Sequence, residues 1–357
     1  MPEKRKGTSP MMLLLKHREI GLALILVLLF VLVGLRNPAF ATLDNALFIL
    51  EDTSIMIILA IGMLCVLLVG SIDISISATM AFSAMTAGIV MKGSLNQVSV
   101  QQMVDGAMQS VTVRQGTPLI WLLLIGIGVG AACGLLNGVI ISYGKVLSIV
   151  ATLGMQYIIY GLSHVISNGQ AVYRKDMPDA FYQFSRNSLL GLNAKVWIML
   201  AVFLLLWLLV TYTRPGRRMY AVGSNPEASQ MSGIDARRST LLAHIIMGAL
   251  AGLAGLLYAS RDTKITQDMA MGYEMYVIAA CVIGGVSVSG GSGKITGVVL
   301  GALTIGVINN GLTMLRLTGN SEFWKKAIQG ALILISVVMN VLIQRAHQRQ
   351  ILRRRNI

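Results

Sequence analysis

Charge is scarce in this sequence. Only 12% of its 357 residues are Asp, Glu, Lys or Arg, and 55% are hydrophobic; soluble domains average about 25% charged. A chain of this length cannot bury so much apolar surface in water, which excludes a soluble globular protein. A bilayer supplies the missing apolar surroundings. Cysteine is scarce too. Cys65, Cys133 and Cys281 all sit in apolar windows, which excludes a disulfide framework in the loops and leaves small buried hydrophobes. No His, Cys and carboxylate cluster has metal-ligand spacing. His164 and His244 stand singly on apolar helices and read as satisfied structural residues rather than proton relays. There is no Walker A loop. The nearest candidate, Gly290-Gly291-Ser292-Gly293-Lys294, has Val288 at the position of the first glycine and Ile295 where Ser or Thr must reach magnesium. The chain is therefore expected not to be an enzyme, with no catalytic residue, bound cofactor or metal. No Ser/His/Asp arrangement is visible in the order of the residues. No extramembrane stretch is long enough for a soluble domain, so residues 1–357 read as one transmembrane domain.

What is there is a series of long uncharged windows. They run over Ile20–Leu35, Thr53–Ile72, Ile74–Met91, Pro118–Ser142, Val146–Ile166, Val196–Tyr212, Ser239–Ser260, Met275–Ser292, Ile295–Leu315 and Ala327–Gln344. A spanning helix needs about 20 mostly apolar residues, so the expected fold class is an all-α integral membrane protein of about ten helices. Ile20–Leu35 lacks a clean small-residue cleavage site after it and reads as a retained first helix.

The formal net charge is +14, and its distribution points away from nucleic acid. With a cytoplasmic N-terminus, alternating loops place Lys4, Arg5, Lys6, Lys16, Arg18, the cluster Arg214–Arg218, Arg237, Arg238 and the C-terminal arginines on one side. Basic loops stay cytoplasmic, so the basic clusters are a topology signal. Both termini are therefore expected in the cytoplasm.

Two breaks interrupt the apolar runs. Thr53–Met91 holds 39 residues with Asp73 as its only charged residue before Lys92, about twice a bilayer at 1.5 Å per residue. It must turn within Gly70-Ser71-Ile72-Asp73-Ile74-Ser75. Asp73 has two readings: an N-cap of the next helix at the surface, or part of a broken helix beside a pathway. The second break, Gly284 to Gly293, has too many glycines for a comfortable helix. Glycines at 126, 130, 134 and 138, at 248, 252 and 255, and at 297 and 301 mark close helix contacts, within the chain or across a dimer seam. The polar residues inside the spans are uncharged. They are Asn137, Gln156, Tyr157, Tyr160, Asn309, Asn310 and Gln329; of these Asn137, Gln156, Tyr160, Asn309 and Asn310, together with Asp73 and Ser75 of the first break, are the candidate pathway-lining residues. Such a set suits an uncharged, hydrogen-bonding solute.

The loop over 213–240 is basic and carries its own helix signal. Asn225 suits an N-cap, Pro226 the first helical position and Glu227 the helix dipole; Gly233 suits a left-handed stop. A helix of roughly two turns over Pro226–Ser232 is too short to stand alone in water. Something must dock against it, either its own chain or a partner.

These features resemble the permease subunits of ribose-type ATP-binding-cassette sugar importers. Gly70 to Ser75 is similar to the family's Gly-Gly-Ile-Asp-Leu-Ser, with Ser71 and Ile74 as departures. Gly134 to Gly138 carries its Gly-Leu-Leu-Asn-Gly, Thr152 to Gly154 its Thr-Leu-Gly, and Gly284 to Gly301 with Asn309-Asn310-Gly311 its C-terminal signature. Glu227-Ala228-Ser229 followed by Gly233 resembles the Glu-Ala-Ala…Gly pattern of the ATPase-contacting loop. The resemblance implies the fold of type II importer permeases with inverted repeats, and coupling residues Asn225, Pro226, Glu227, Ala228, Ser229 and Gly233. It implies a pathway between two permease subunits, identical or related. The partners it implies are a cytoplasmic ATPase subunit that carries ATP and magnesium, an extracytoplasmic sugar-binding protein, and membrane lipid. The rival reading is an ion-coupled transporter or channel working without an ATPase.

Overall fold

A computed structural model describes residues 18–104 and 107–315, with scattered positions between 327 and 338. It is an all-helical bundle decorated by short strands. The helices are α1 (Arg18–Arg36), α2 (Leu43–Leu68), α3 (Ile76–Ser94), α4 (Leu119–Ser142), α5 (Ser148–Ser167), α6 (Asp179–Phe184), α7 (Ala194–Tyr212), α8 (Arg214–Ser224), α9 (Pro226–Met231), α10 (Ala236–Asp262), α11 (Tyr273–Ile283) and α12 (Ile295–Met314). Nine of the ten expected windows carry a helix; the tenth, Ala327–Gln344, lies outside the continuously described residues. Seven described helices are long and apolar enough to cross a membrane: α1, α2, α4, α5, α7, α10 and α12. The other two windows fall short of that. α3 is rich in Ser, Thr and Ala, and α11 stops after 11 residues at Gly284 instead of running to Ser292.

α2 is the axis of the bundle. From Thr53 to Leu68 every residue is buried, as expected of a helix that is apolar all round. α7, α10, α11 and α12 pack around it. α10 pairs with α4 through the glycines that the spacing singled out. A β-carbon at Gly130 would overlap the Gly248 carbonyl oxygen, and one at Gly252 the Gly126 carbonyl oxygen. The glycine faces are thus spent on contact within the chain. α1 lies on the rim, where Leu24, Val27 and Leu28 are more than half exposed.

Helix ends sort into two groups. At one end Lys294 pairs with Glu19, and Arg237 covers the Tyr143 ring. At the other Arg261 pairs with Asp52, and Arg174 and Arg114 with Asp179. The sequence reading missed one feature of this second end. Residues 93–117 are not a plain polar linker: β1 (Asn96–Val104) and β2 (Ala107–Gln115) form an antiparallel ribbon. Within it a valine rung, Val98–Val113, is followed by a polar rung, Ser99–Thr112, and successive side chains of a pleated strand point to opposite faces. Two further short ladders, β3 (Val172–Tyr173) with β6 (Lys264–Ile265) and β4 (Ser188–Leu189) with β5 (Leu192–Asn193), tie the loops at that end.

Candidate functional site: two helix breaks and a basic helix pair

Both breaks are built by the same stop. α2 ends with Gly70 at φ +76°; the Gly70 amide donates to the Leu67 carbonyl at 2.9 Å and the Ser71 amide to Val66 at 3.1 Å. α11 ends with Gly285 at φ +83°, and the amides of Gly285 and Val286 donate to Val282 and Cys281, both at 3.0 Å. This is the paired C-terminal bond of a Schellman stop, which only glycine adopts without penalty.

After the first stop the chain is extended, and two of its amides are held by side chains of α5. The Ile72 amide donates to Ser148 Oγ at 3.2 Å, and the Ile74 amide to Thr152 Oγ1 at 3.1 Å. One face of α5 continues the series: Gln156 Nε2 and Tyr160 OH both donate to Ser77 Oγ, at 3.3 and 3.0 Å. Positions 148, 152, 156 and 160 are four apart and so share a face. Buried irregular backbone is tolerable at this depth because protein groups satisfy it.

Asp73 lies at the centre of the break and is buried. It is not the N-cap of α3, which is Ser75. Asp73 Oδ1 accepts from the Ser75 amide at 2.9 Å and the Ser75 hydroxyl at 2.7 Å, closing an Asx turn. Asn137 Nδ2 of α4 donates to Ser75 Oγ at 2.8 Å and reaches Asp73 Oδ2 at 3.4 Å. His244 of α10 completes the group: its Nδ1 lies 3.3 Å from Asp73 Oδ2, and its Nε2 lies 2.9 Å from Ser71 Oγ. Ser71, His244 and Asp73 thus stand in line, though nothing in the order of residues shows it. The line is closed to solvent, with Ser71, Asp73 and His244 all buried. It is a clasp between the break, α4 and α10.

The structure therefore brings together five of the seven pathway candidates: Asp73, Ser75, Asn137, Gln156 and Tyr160. Asn309 and Asn310 lie apart, toward the other end of α12, where Asn37 Nδ2 donates to the Met314 carbonyl. Sequence reasoning missed Ser71, Ser77, Ser148, Thr152 and the role of His244. The four-residue spacing on α5 was the signal available for Ser148 and Thr152.

The second break meets the first. The Gly291 amide donates to the Leu68 carbonyl at 3.0 Å, and a β-carbon at Gly290 would lie 3.0 Å from Gly70 Cα. α8 closes the group. Tyr220 OH donates to the Gly293 carbonyl at 2.7 Å, and Gly223 lies against both Leu68 and Gly291. α9 follows directly, capped by Asn225, whose Oδ1 accepts from the Ala228 amide at 2.9 Å, and Gly233 takes φ +76°. Its bounds, Pro226–Met231, are one residue shorter than the spacing suggests. Ser229 is buried, while Met231 is 92% exposed.

Comparison with known proteins now decides the family. Residues 45–337 match the model of the branched-chain amino acid transport system / permease component family. The chain belongs to this permease family. The permease is 33% identical over 317 residues to the ribose import permease protein of Escherichia coli (strain K12), covering 88% of this chain and 91% of that one. It is 33% identical to the D-allose transport system permease protein of the same organism, covering 92% and 93%. Against the E. coli galactose/methyl galactoside import permease protein the identity is 30%, covering 91% and 94%. No solved structure matches the permease.

Proposed function

We propose that this chain is the membrane-spanning subunit of an ATP-driven importer that carries an uncharged sugar or sugar-like solute into the cytoplasm. The reading rests on one observation above all: α9, exposed and held by its own cap, is joined through α8 to both helix breaks. A push on α9 therefore has a packed route into the spans. ATP and magnesium reside on a separate ATPase subunit that docks on Asn225–Gly233; α9 marks that end as cytoplasmic, with both termini on the same side. An extracytoplasmic binding protein delivers the solute, and a second permease subunit completes the pathway. The similarity to ribose, allose and galactose permeases supports the solute class. The candidates Asp73, Ser75 and Asn137 are buried here, so they line a passage only in a conformation where the α3–α5 seam has parted. That is the requirement of alternating access.

The test is reconstitution in vesicles with the ATPase subunit and the binding protein. Uptake requires both partners and ATP. Met231→Asp places a charge on the exposed tip of α9 and lowers ATP-linked uptake by about tenfold or more, the loss typical of an interface anchor, with an unchanged melting temperature. Uptake by the permease alone, driven by an ion gradient, overturns the reading in favour of a secondary transporter. Normal uptake by Met231→Asp overturns the docking assignment.

A further inference from the structure

Between α7, α8 and the start of α12 the basic end holds a cavity of about 640 Å³, walled by Trp207, Val210, Arg217, Tyr220, Lys294 and Ile295. We propose that this cavity binds the headgroup of an anionic phospholipid, with Arg217 and Lys294 holding its phosphate. The proposal rests on the membrane-spanning architecture and is independent of the transport reading.

Depth is the first argument. Trp207 packs edge-on against Tyr212 at 5.2 Å, near the end of α7. Such amphipathic rings gather at the level of lipid headgroups. Charge is the second. Lys294 Nζ lies 2.7 Å from Glu19 Oε1, which cancels part of its charge and fixes its direction. Arg217 has no carboxylate partner among the described residues; its Nη1 donates to the Tyr212 carbonyl at 3.0 Å. A guanidinium has five N–H donors, so a fork remains for two phosphate oxygens. Shape is the third. Val210 and Ile295 form an apolar floor. The outer face of α7 continues beyond the cavity with Leu204, Leu205 and Leu208 exposed. A free phosphate leaves that apolar flank unused, whereas an acyl chain covers it. Tyr220 links the site to the rest of the molecule, since its hydroxyl bonds the second break. A bound headgroup braces α8 against that break.

The experiment is native mass spectrometry of the full chain in detergent, titrated with dioleoylphosphatidylglycerol, with phosphatidylcholine of the same chains, and with inorganic phosphate. One phosphatidylglycerol is held more tightly than phosphatidylcholine. Arg217→Gln and Lys294→Gln each weaken it about fivefold, and together about 25-fold, at roughly the contribution of one basic residue near an anionic surface. Arg237→Gln with Arg238→Gln removes the same charge from the same end and leaves the affinity unchanged. Should the double cavity variant not fold, either single variant decides. Equal affinity for the two lipids overturns the proposal, as does an equal loss with the Arg237 and Arg238 pair, which indicates diffuse attraction. Displacement of the lipid by millimolar inorganic phosphate shows a phosphate site and overturns the lipid assignment.

Discussion

Gly223 of α8 lies so close to Leu68, the last residue of α2, that a β-carbon at Gly223 would overlap the Leu68 carbonyl oxygen. The same carbonyl accepts the Gly291 amide of the second break. Three segments separated widely in sequence thus share one backbone contact, with no side chain between them. Backbone packed on backbone has no rotamer to absorb a displacement, so the three segments move together.

Gly223→Ala tests that contact. In an ordinary helix interior alanine is better than glycine by about 0.5–1 kcal/mol. Here the added methyl meets backbone on two sides, and overpacking typically costs about 1–3 kcal/mol. The expected outcome is a lower melting temperature and fewer solute molecules moved per ATP. A melting temperature above wild type refutes the close contact.

The clasp at Asp73 gives a second prediction. His244→Leu leaves a buried carboxylate with only Ser75 and Asn137 as partners. Leaving a buried polar group short of a hydrogen-bond partner costs about 1–3 kcal/mol. His244→Leu combined with Asp73→Asn removes the charge along with its partner and costs less than the sum of the two single changes. A double-mutant cycle by thermal unfolding measures the difference. Additive losses show that His244 and Asp73 do not interact.

Much of this was legible from residue order, for physical reasons. The spans follow from hydropathy, and α9 from Asn225, Pro226 and Gly233, because caps are local chemistry. The glycine faces of α4 and α10 follow from a four-residue repeat, although only the structure shows that they face each other. Ser71, Asp73 and His244 form a line across 171 residues of chain, and no local pattern encodes that distance. The meeting of the two breaks was equally hidden, since glycines carry no side chain to suggest a partner. The β1–β2 ribbon was missed because its segment is rich in Gln, Asn and Ser, which resembles a polar linker in composition.

At the opposite end the ribbon is fastened by Asp179. Its carboxylate accepts the Arg114 amide at 2.7 Å and pairs with the Arg174 and Arg114 guanidiniums. Burial alone would push this carboxyl up, but the Arg174 and Arg114 bonds and charges overcome it and hold it below the usual carboxylate range. A depressed folded value means stabilisation that is complete above the unfolded value, about 3.9, and is lost as pH falls through the folded value. A nitroxide on Thr112→Cys is therefore immobile from pH 6 down to about 4 and gains mobility below it. Asp179→Asn makes it mobile throughout. A spectrum independent of pH in the otherwise unaltered protein removes Asp179 from this role.

Two glycines on α4 separate packing from propensity. Gly130 faces α10, where a β-carbon would overlap the Gly248 carbonyl and approach Gly252 Cα at 2.9 Å. Gly128, two residues before it, has nothing within 4 Å of such an atom. Helices in a bilayer associate through close packing rather than through the hydrophobic effect, so the seam depends on that approach. Gly130→Ala forces α4 and α10 apart and lowers stability by about 1–3 kcal/mol, the usual cost of overpacking. Gly128→Ala adds a methyl to open space and raises helix stability by about 0.5–1 kcal/mol. Thermal unfolding of the two variants in one detergent gives opposite signs. Equal losses at both positions show that helix conformation, and not the α4–α10 contact, requires glycine there.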